Sequence, residues 1–305
     1  MKLWYQSMSR QKAWGHYNVA LRRILDRVKD PDTEIEVHGI TKRGGLADQF
    51  HYLDYLESGE VMENVQIATK RGFDAFLIGN IGDPGIHACR EITTMPVLGL
   101  CETALHTACM MGQNFSLVTI NEKFTPRIID NVHRYKLERR LSAVNRMKID
   151  RINDLDEGFT NAAARKRIFD QFMKAANANV EQGAEVIIAA GGVVMALLAE
   201  FGVHQAAKNT PILNGIVSLV KMGEAAVKMN RIMGGTFLSK RLYYAPPGTD
   251  QIDEIRKYYG DVYPTVPGKA DAGRIAAKPV RKAVKKVLKK SVKKRAGKSA
   301  GKPSR

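Results

Sequence analysis

The sequence predicts an α/β protein of two similar lobes, each a mainly parallel sheet flanked by helices, with a ligand cleft between them. Three observations carry that expectation. Short apolar runs of four to seven residues alternate with longer segments of helical period, the pattern of βα units. Seven such runs exceed what one small sheet needs. The strand ends repeatedly carry the turn and cap residues that start helices.

The elements follow in chain order. Residues 2–6 read as the first strand, and a helix over 9–28 follows with Ser9 as its N-cap. A strand at 34–37 and a helix at 55–71 come next. The strand at 75–78 runs into Gly79, Asn80, Ile81, Gly82, Asp83 and Pro84, where Asp83 caps and Pro84 opens a helix over 84–92. A strand at 96–100 precedes a helix at 102–111, and a strand at 116–120 leads through Thr125 and Pro126 into a helix at 126–135. The second half continues with a helix at 162–182, a strand at 186–189, a helix at 194–201, a strand at 211–213 and a helix at 219–233. Residues 1–99 with 214–264 form the expected first lobe and 100–213 the second.

Charge divides the chain differently. Lys plus Arg number 48 against 31 acids, a formal charge of +17. Residues 265–305 hold 15 of those bases and a single Asp, so the first 264 residues are nearly neutral. The tail, disordered or helical, has Val280, Val284, Val287, Leu288 and Val292 spaced like one helical face. It suits nonspecific contact with nucleic acid or an anionic surface through counterion release, the alternative being a solubilising extension. It resembles the Lys/Ala/Val-rich tails of linker-histone-like bacterial proteins.

Several classes are set aside. The start shows no secretory pattern, and the longest apolar stretch, 186–199, is too short for the roughly 20 residues of a membrane span. No transmembrane segment is expected, and the default compartment is a reducing cytoplasm. Cys89, Cys101 and Cys109 are odd in number and lack CxxC spacing, which fits neither a disulfide framework nor a four-cysteine zinc site. Neither GxGxxG nor GxxxxGK[ST] is present, so nucleotide binding of those kinds has no support.

The chemistry is expected at strand ends, because ligands of open α/β sheets sit beyond the carboxyl ends of strands. The turns at Asn80 and Gly191, one in each half, offer free N–H groups and helix starts suited to a carboxylate or a developing oxyanion. The plainer reading is that their glycines only permit tight turns. Cys101, next to the strand at 96–100, is either a relocated thiol or a small buried residue. Cys101, His106 and Cys109 form a loose metal-like spacing within core-like neighbours, and no metal site is assigned. His38, His51 and His87 are acid–base candidates if they face the cleft and otherwise structural or surface residues. Residues 44–52 read as a mobile loop over the cleft or as a plain connection.

Residues 79–85 (GNIGDPG), 96–104 (PVLGLCETA), 115–119 (FSLVT), 183–191 (GAEVIIAAG) and 211–216 (PILNGI) resemble the Asp/Glu/hydantoin racemase superfamily, most closely its hydantoin racemase branch. The resemblance spans most of residues 1–250. It implies two α/β lobes, a cleft active site, no metal or pyridoxal phosphate cofactor, and a homo-oligomer, a dimer or higher. It also implies two cysteines, one thiolate taking a proton beside a carbonyl and the opposite thiol returning one to the other face. Here the first cysteine aligns with Asn80, the second with Gly191, and a family aspartate with Asn214. Asn and Gly exchange no proton near neutral pH, so two-thiol racemisation is not expected. The binding apparatus expected to remain is Ser7, Asn80, Ile81, Thr119, Asn121, Gly192 and Asn214. The implied ligand is a small carboxylate or cyclic amide. The expected activity is racemase- or isomerase-like without the cysteine pair. The alternatives are a lyase or decarboxylase of the same superfamily, or a non-catalytic ligand-binding protein with a nucleic-acid-binding tail.

Overall fold

The computed structural model describes residues 1–10, 12–46 and 48–264, and residues 1–264 form one compact unit. The expectations attached to the tail at 265–305 lie outside the described residues. Chain order gives β1 (Lys2–Gln6), α1 (Gly15–Val28), β2 (Glu34–His38), α2 (His51–Lys70), β3 (Ala75–Ile78), α3 (Ile86–Ile92), β4 (Val97–Gly99) and α4 (Leu100–Met111). There follow β5 (Phe115–Thr119), α5 (Thr125–Arg134), β6 (Leu141–Arg146), α6 (Ala162–Glu181), β7 (Ile187–Ala190), α7 (Gly192–Glu200), β8 (Ile212–Leu213), α8 (Gly215–Ile232) and α9 (Thr249–Tyr259).

Two parallel four-stranded sheets result, ordered β2-β1-β3-β4 and β6-β5-β7-β8. Their central strands are buried on both faces, which is why they read as continuous apolar runs. Helix α8 returns from the second sheet to pack on β3 and α4, joining the two halves through one large core.

Each sheet reverses its direction of winding once, between β1 and β3 in the first and between β5 and β7 in the second. Such a switch point leaves a crevice at the carboxyl ends of the two strands. Both crevices open on the same cavity, and this decides where the chemistry sits.

The structure corrects several of the expected elements, and helices α2 and α8 each begin four residues earlier than expected, at His51 and Gly215. Strand β6 was not expected, because it is an edge strand with one buried residue in six and carries Ser142, Asn145 and Arg146. Helix α1 begins at Gly15 rather than 9, and Ser9 donates its hydroxyl to Asn18 Oδ1 at 2.8 Å instead of capping. The cap of α1 comes from the other half of the chain: Asp156 accepts the Tyr17 N–H at 2.7 Å and the His16 N–H at 3.3 Å. Asp83 likewise leaves its own helix uncapped and accepts the Cys101 and Glu102 N–H groups at 2.9 and 2.8 Å, so it caps α4. The helix α9, short and mostly exposed, was not expected either.

Candidate active site

The shared cavity, about 50 Å³, is built from four strand ends and two further segments. Ser7, Met8 and Ser9 follow β1, Gly79, Asn80 and Ile81 follow β3, Ile120 and Phe124 follow β5, and Gly191 to Val193 follow β7. Trp14 and Tyr17 reach in from the start of α1, Gly45, Leu46 and Asp48 from the β2–α2 connection, and Ile152 from a 3₁₀ segment at Ile152–Phe159.

Close backbone approach explains two of the glycines. A Cβ on Gly79 would lie 2.2 Å from the Tyr5 ring, so no side chain fits under the end of β3. One on Gly191 would lie 2.6 Å from Ile120 Cδ1, so a cysteine there has to displace Ile120. Helix α7 starts at Gly192 with no side chain capping its first turn, which leaves main-chain N–H groups and the positive end of the helix dipole at the cavity.

The wall from the first half is polar. Asn80 is held in one orientation, Oδ1 accepting the Gly82 N–H at 2.7 Å and Nδ2 donating to Asp48 Oδ2 at 2.6 Å. Ser7 Oγ lies 2.8 Å from Ser9 Oγ, which is anchored on Asn18. Burial, and secondarily the Asp48 charge, push the Tyr17 phenol up from its ordinary value while the nearby Ser7 hydroxyl pulls it down, so Tyr17 rests as the neutral acid.

The loop over the cleft is fastened from both halves. Gly45 O accepts from Trp14 Nε1 at 2.9 Å, and the Gly45 N–H donates to Glu57 Oε1 at 2.9 Å. From α5, the Arg127 guanidinium donates to Asp48 O and pairs with Asp54 Oδ1 at 2.5 Å, with both side chains mostly buried. Asn121 Nδ2 donates to Gln49 Oε1 at 3.0 Å. Glu57 is buried, its Oε2 has no partner, and burial with the nearby Asp48 and Asp54 charges raises its carboxyl to about 7 against the pull of the Gly45 N–H and Arg127.

Of the residues expected at the site, the structure gathers Ser7, Asn80, Ile81, Gly191 and Gly192 around this cavity. The others do structural work away from its lining. Thr119 is fully buried with its hydroxyl 2.5 Å from that of Thr125. Asn121 accepts the Phe124 N–H at 2.9 Å and donates to Ile149 O at 2.8 Å. Asn214 caps α8 and donates to Met195 O at 2.8 Å. Cys101 is a correction of the relocated-thiol alternative: it is buried in the core outside the cavity lining, and burial pushes its thiol well up, so it supplies no ready thiolate.

His38 stacks on Trp4 with ring centroids 3.4 Å apart, His87 bonds the Tyr244 hydroxyl at 2.9 Å, His51 is exposed at the start of α2, and none of the three lines the cavity. Among the described residues no group of three or more His, Cys, Asp and Glu side chains is arranged to hold a metal ion.

Sequence reasoning missed Tyr17, Trp14 and Ile152 as cavity residues. Asp48 had a signal, since it sits in the glycine-bearing segment read as a loop over the cleft.

Two parallel sheets whose switch points share one cavity define an α/β fold with a crevice between two halves. The chain belongs to the Asp/Glu/Hydantoin racemase family, whose model matches residues 20–223. A hydantoin racemase from Pseudomonas sp. (strain NS671) is 29% identical over 201 residues, covering 66% of this chain and 76% of that protein. One from Rhizobium meliloti is 30% identical over 165 residues, 54% of this chain and 65% of that protein. In fold, the chain is similar to allantoin racemase from Klebsiella pneumoniae, with a TM-score of 0.67 at 23% identity over 82% of this chain and 94% of that one. These relatives are racemases, and the protein stands among isomerases. Among the described residues no helix is long and apolar enough to cross a membrane.

Proposed function

We propose that the protein is a racemase- or isomerase-like enzyme that moves a proton at a carbon beside a carbonyl of a small carboxylate or cyclic amide, without a cysteine pair. One observation carries this reading: Asn80 and Gly191, the residues that follow the equivalent strands β3 and β7, line the same cavity, and the uncapped start of α7 opens onto it. Main-chain N–H groups at a helix start are suited to hold a carbonyl oxygen as it gains enolate charge.

None of the three cysteines lines the cavity. Between the two ligand classes, Asp48 favours the cyclic amide. A carboxylate facing the cavity repels a second one, whereas a ring N–H donates to it. A lyase reading has one observation in its favour: the side-chain hydroxyls and the carboxylate of the cavity come from the first half alone, and a departing carboxyl group leaves a carbanion that needs a proton on a single face.

The test is proton NMR of chiral 5-substituted hydantoins and α-amino acids in D2O with the full chain. Uptake of deuterium at the stereogenic carbon of a hydantoin is the expected result; a broad panel without uptake contradicts the isomerase reading. The basic tail is a separate matter. Salt-sensitive retention on DNA that disappears when 265–305 is removed is expected from its charge, and unchanged retention contradicts that role.

A further inference from the structure

Two ionisable side chains lie beside the strand ends where the resemblance puts thiols, although neither belongs to those positions in sequence. Asp48, from the connection between β2 and α2, bonds the Asn80 side chain at 2.6 Å and so puts a carboxylate at the end of β3. Tyr17, from the first turn of α1, reaches toward the start of α7. A Cβ built on Gly192 would lie 3.6 Å from its hydroxyl oxygen, so the phenol stands beside the start of α7 at Gly192. Both residues line the cavity.

Each is held by groups from both halves of the chain. Asn80 is locked by the Gly82 N–H, and the Asp48 main chain by Arg127. The Tyr17 N–H is anchored on Asp156, and its hydroxyl lies near Ser7, which is held through Ser9 on Asn18. Positioning of this kind, from both halves of the chain, is what a proton-transfer pair requires.

We propose that Asp48 and Tyr17 are the acid–base pair of the site, Asp48 taking the proton from one face of the substrate carbon and Tyr17 delivering one to the other. This rests on the isomerase reading above and assigns its missing groups. In the step, the C–H bond on the Asp48 side breaks, its proton goes to the carboxylate and its electron pair enters the enolate. That pair then forms a new C–H bond with the Tyr17 proton, leaving a phenolate beside the start of α7. Nothing is oxidised or reduced. Exchange with solvent past Leu46, which is exposed at the cavity, returns the proton from Asp48 to Tyr17. Asp48 and Tyr17 are therefore catalytic residues, and Ser7 and Asn80 are positioning residues.

The isosteric variants Tyr17→Phe and Asp48→Asn separate the two roles. Each enantiomer of 5-isobutylhydantoin is incubated in D2O with wild-type and variant proteins, with deuterium followed by NMR and configuration by chiral chromatography. Wild type is expected to exchange both enantiomers with inversion. Tyr17→Phe should lose inversion by roughly 100-fold or more yet keep deuterium exchange, with retention, into the one enantiomer whose hydrogen faces Asp48. Asp48→Asn should lose exchange of that same enantiomer. Inversion at the wild-type rate in Tyr17→Phe, or equal loss for both enantiomers in both variants, overturns the pair while leaving the isomerase reading standing. A wild-type protein that exchanges neither enantiomer overturns both.

Discussion

The two walls of the cavity come from sheets of the same topology, yet they offer different chemistry. From the first half come side chains: the hydroxyls of Ser7, Ser9 and Tyr17, the Asp48 carboxylate and the Asn80 amide. From the second come the main chain at Gly191 to Val193 and the apolar surfaces of Ile120, Phe124 and Ile152. The first half supplies the groups that can move protons, and the second can hold a carbonyl oxygen and exclude water. The lesson is that a fold with matched halves does not need matched functional residues, because a helix start and a connecting loop can carry side chains to the place a strand end leaves bare.

The division is breakable at the contact that ties the walls together. Arg127→Met strands the mostly buried Asp54 carboxylate and releases Asp48 O, so it should cost about 3–5 kcal/mol in urea unfolding. Asp54→Asn in the same chain should recover part of that loss. An Arg127→Met protein as stable as wild type means that the cleft loop is not fastened from the second half.

A smaller effect separates the buried acids of the first half from the uncharged second wall. Glu57 titrates near 7 when folded against an ordinary 4.5, so the folded protein still holds a proton that the unfolded chain has released between those values. Stability should therefore fall as pH rises from about 4.5 to 7 and level off above, by roughly 1–2 kcal/mol for this group. Asp83, raised to about 7 chiefly by burial, adds a slope of the same sign. Glu57→Gln should thus flatten denaturation midpoints between pH 5 and 8 without abolishing their trend. An unchanged slope in that variant sets Glu57 aside.

The smallest effect sharpens the link between the halves. Asp156→Ala removes the cap that the second half gives α1 and should cost about 1 kcal/mol. Because the lost bond anchors the Tyr17 N–H, turnover should fall several-fold with little change in KM. Full activity at reduced stability would show that the cap does not position Tyr17.

Much of this architecture is legible in the sequence where strands are buried on both faces. Runs such as AFLI in β3 and IIAA in β7 leave no polar face to confuse the reading, and the residues just after them, Asn80 and Gly191, fall where strand ends must. Edge strand β6 escaped because half-exposed residues erase the apolar run. The caps at Asp83 and Asp156 were misassigned or missed because each reaches a helix distant in sequence, whereas spacing rules see only the neighbouring one. Tyr17 and Asp48 escaped for the same reason. Nothing within a helix's first turn or a loop says which crevice its side chain will enter until the halves are packed together.

The central claim is that a small carbonyl compound binds between the two walls against the start of α7. Calorimetric titration of 5-isobutylhydantoin into wild type and Gly192→Leu tests it most directly, since that side chain occupies the space before the Tyr17 hydroxyl. The expected result is binding to wild type that weakens at least about 100-fold in the variant, near 2.7 kcal/mol, with thermal unfolding unchanged. Equal affinity in the two proteins would contradict it.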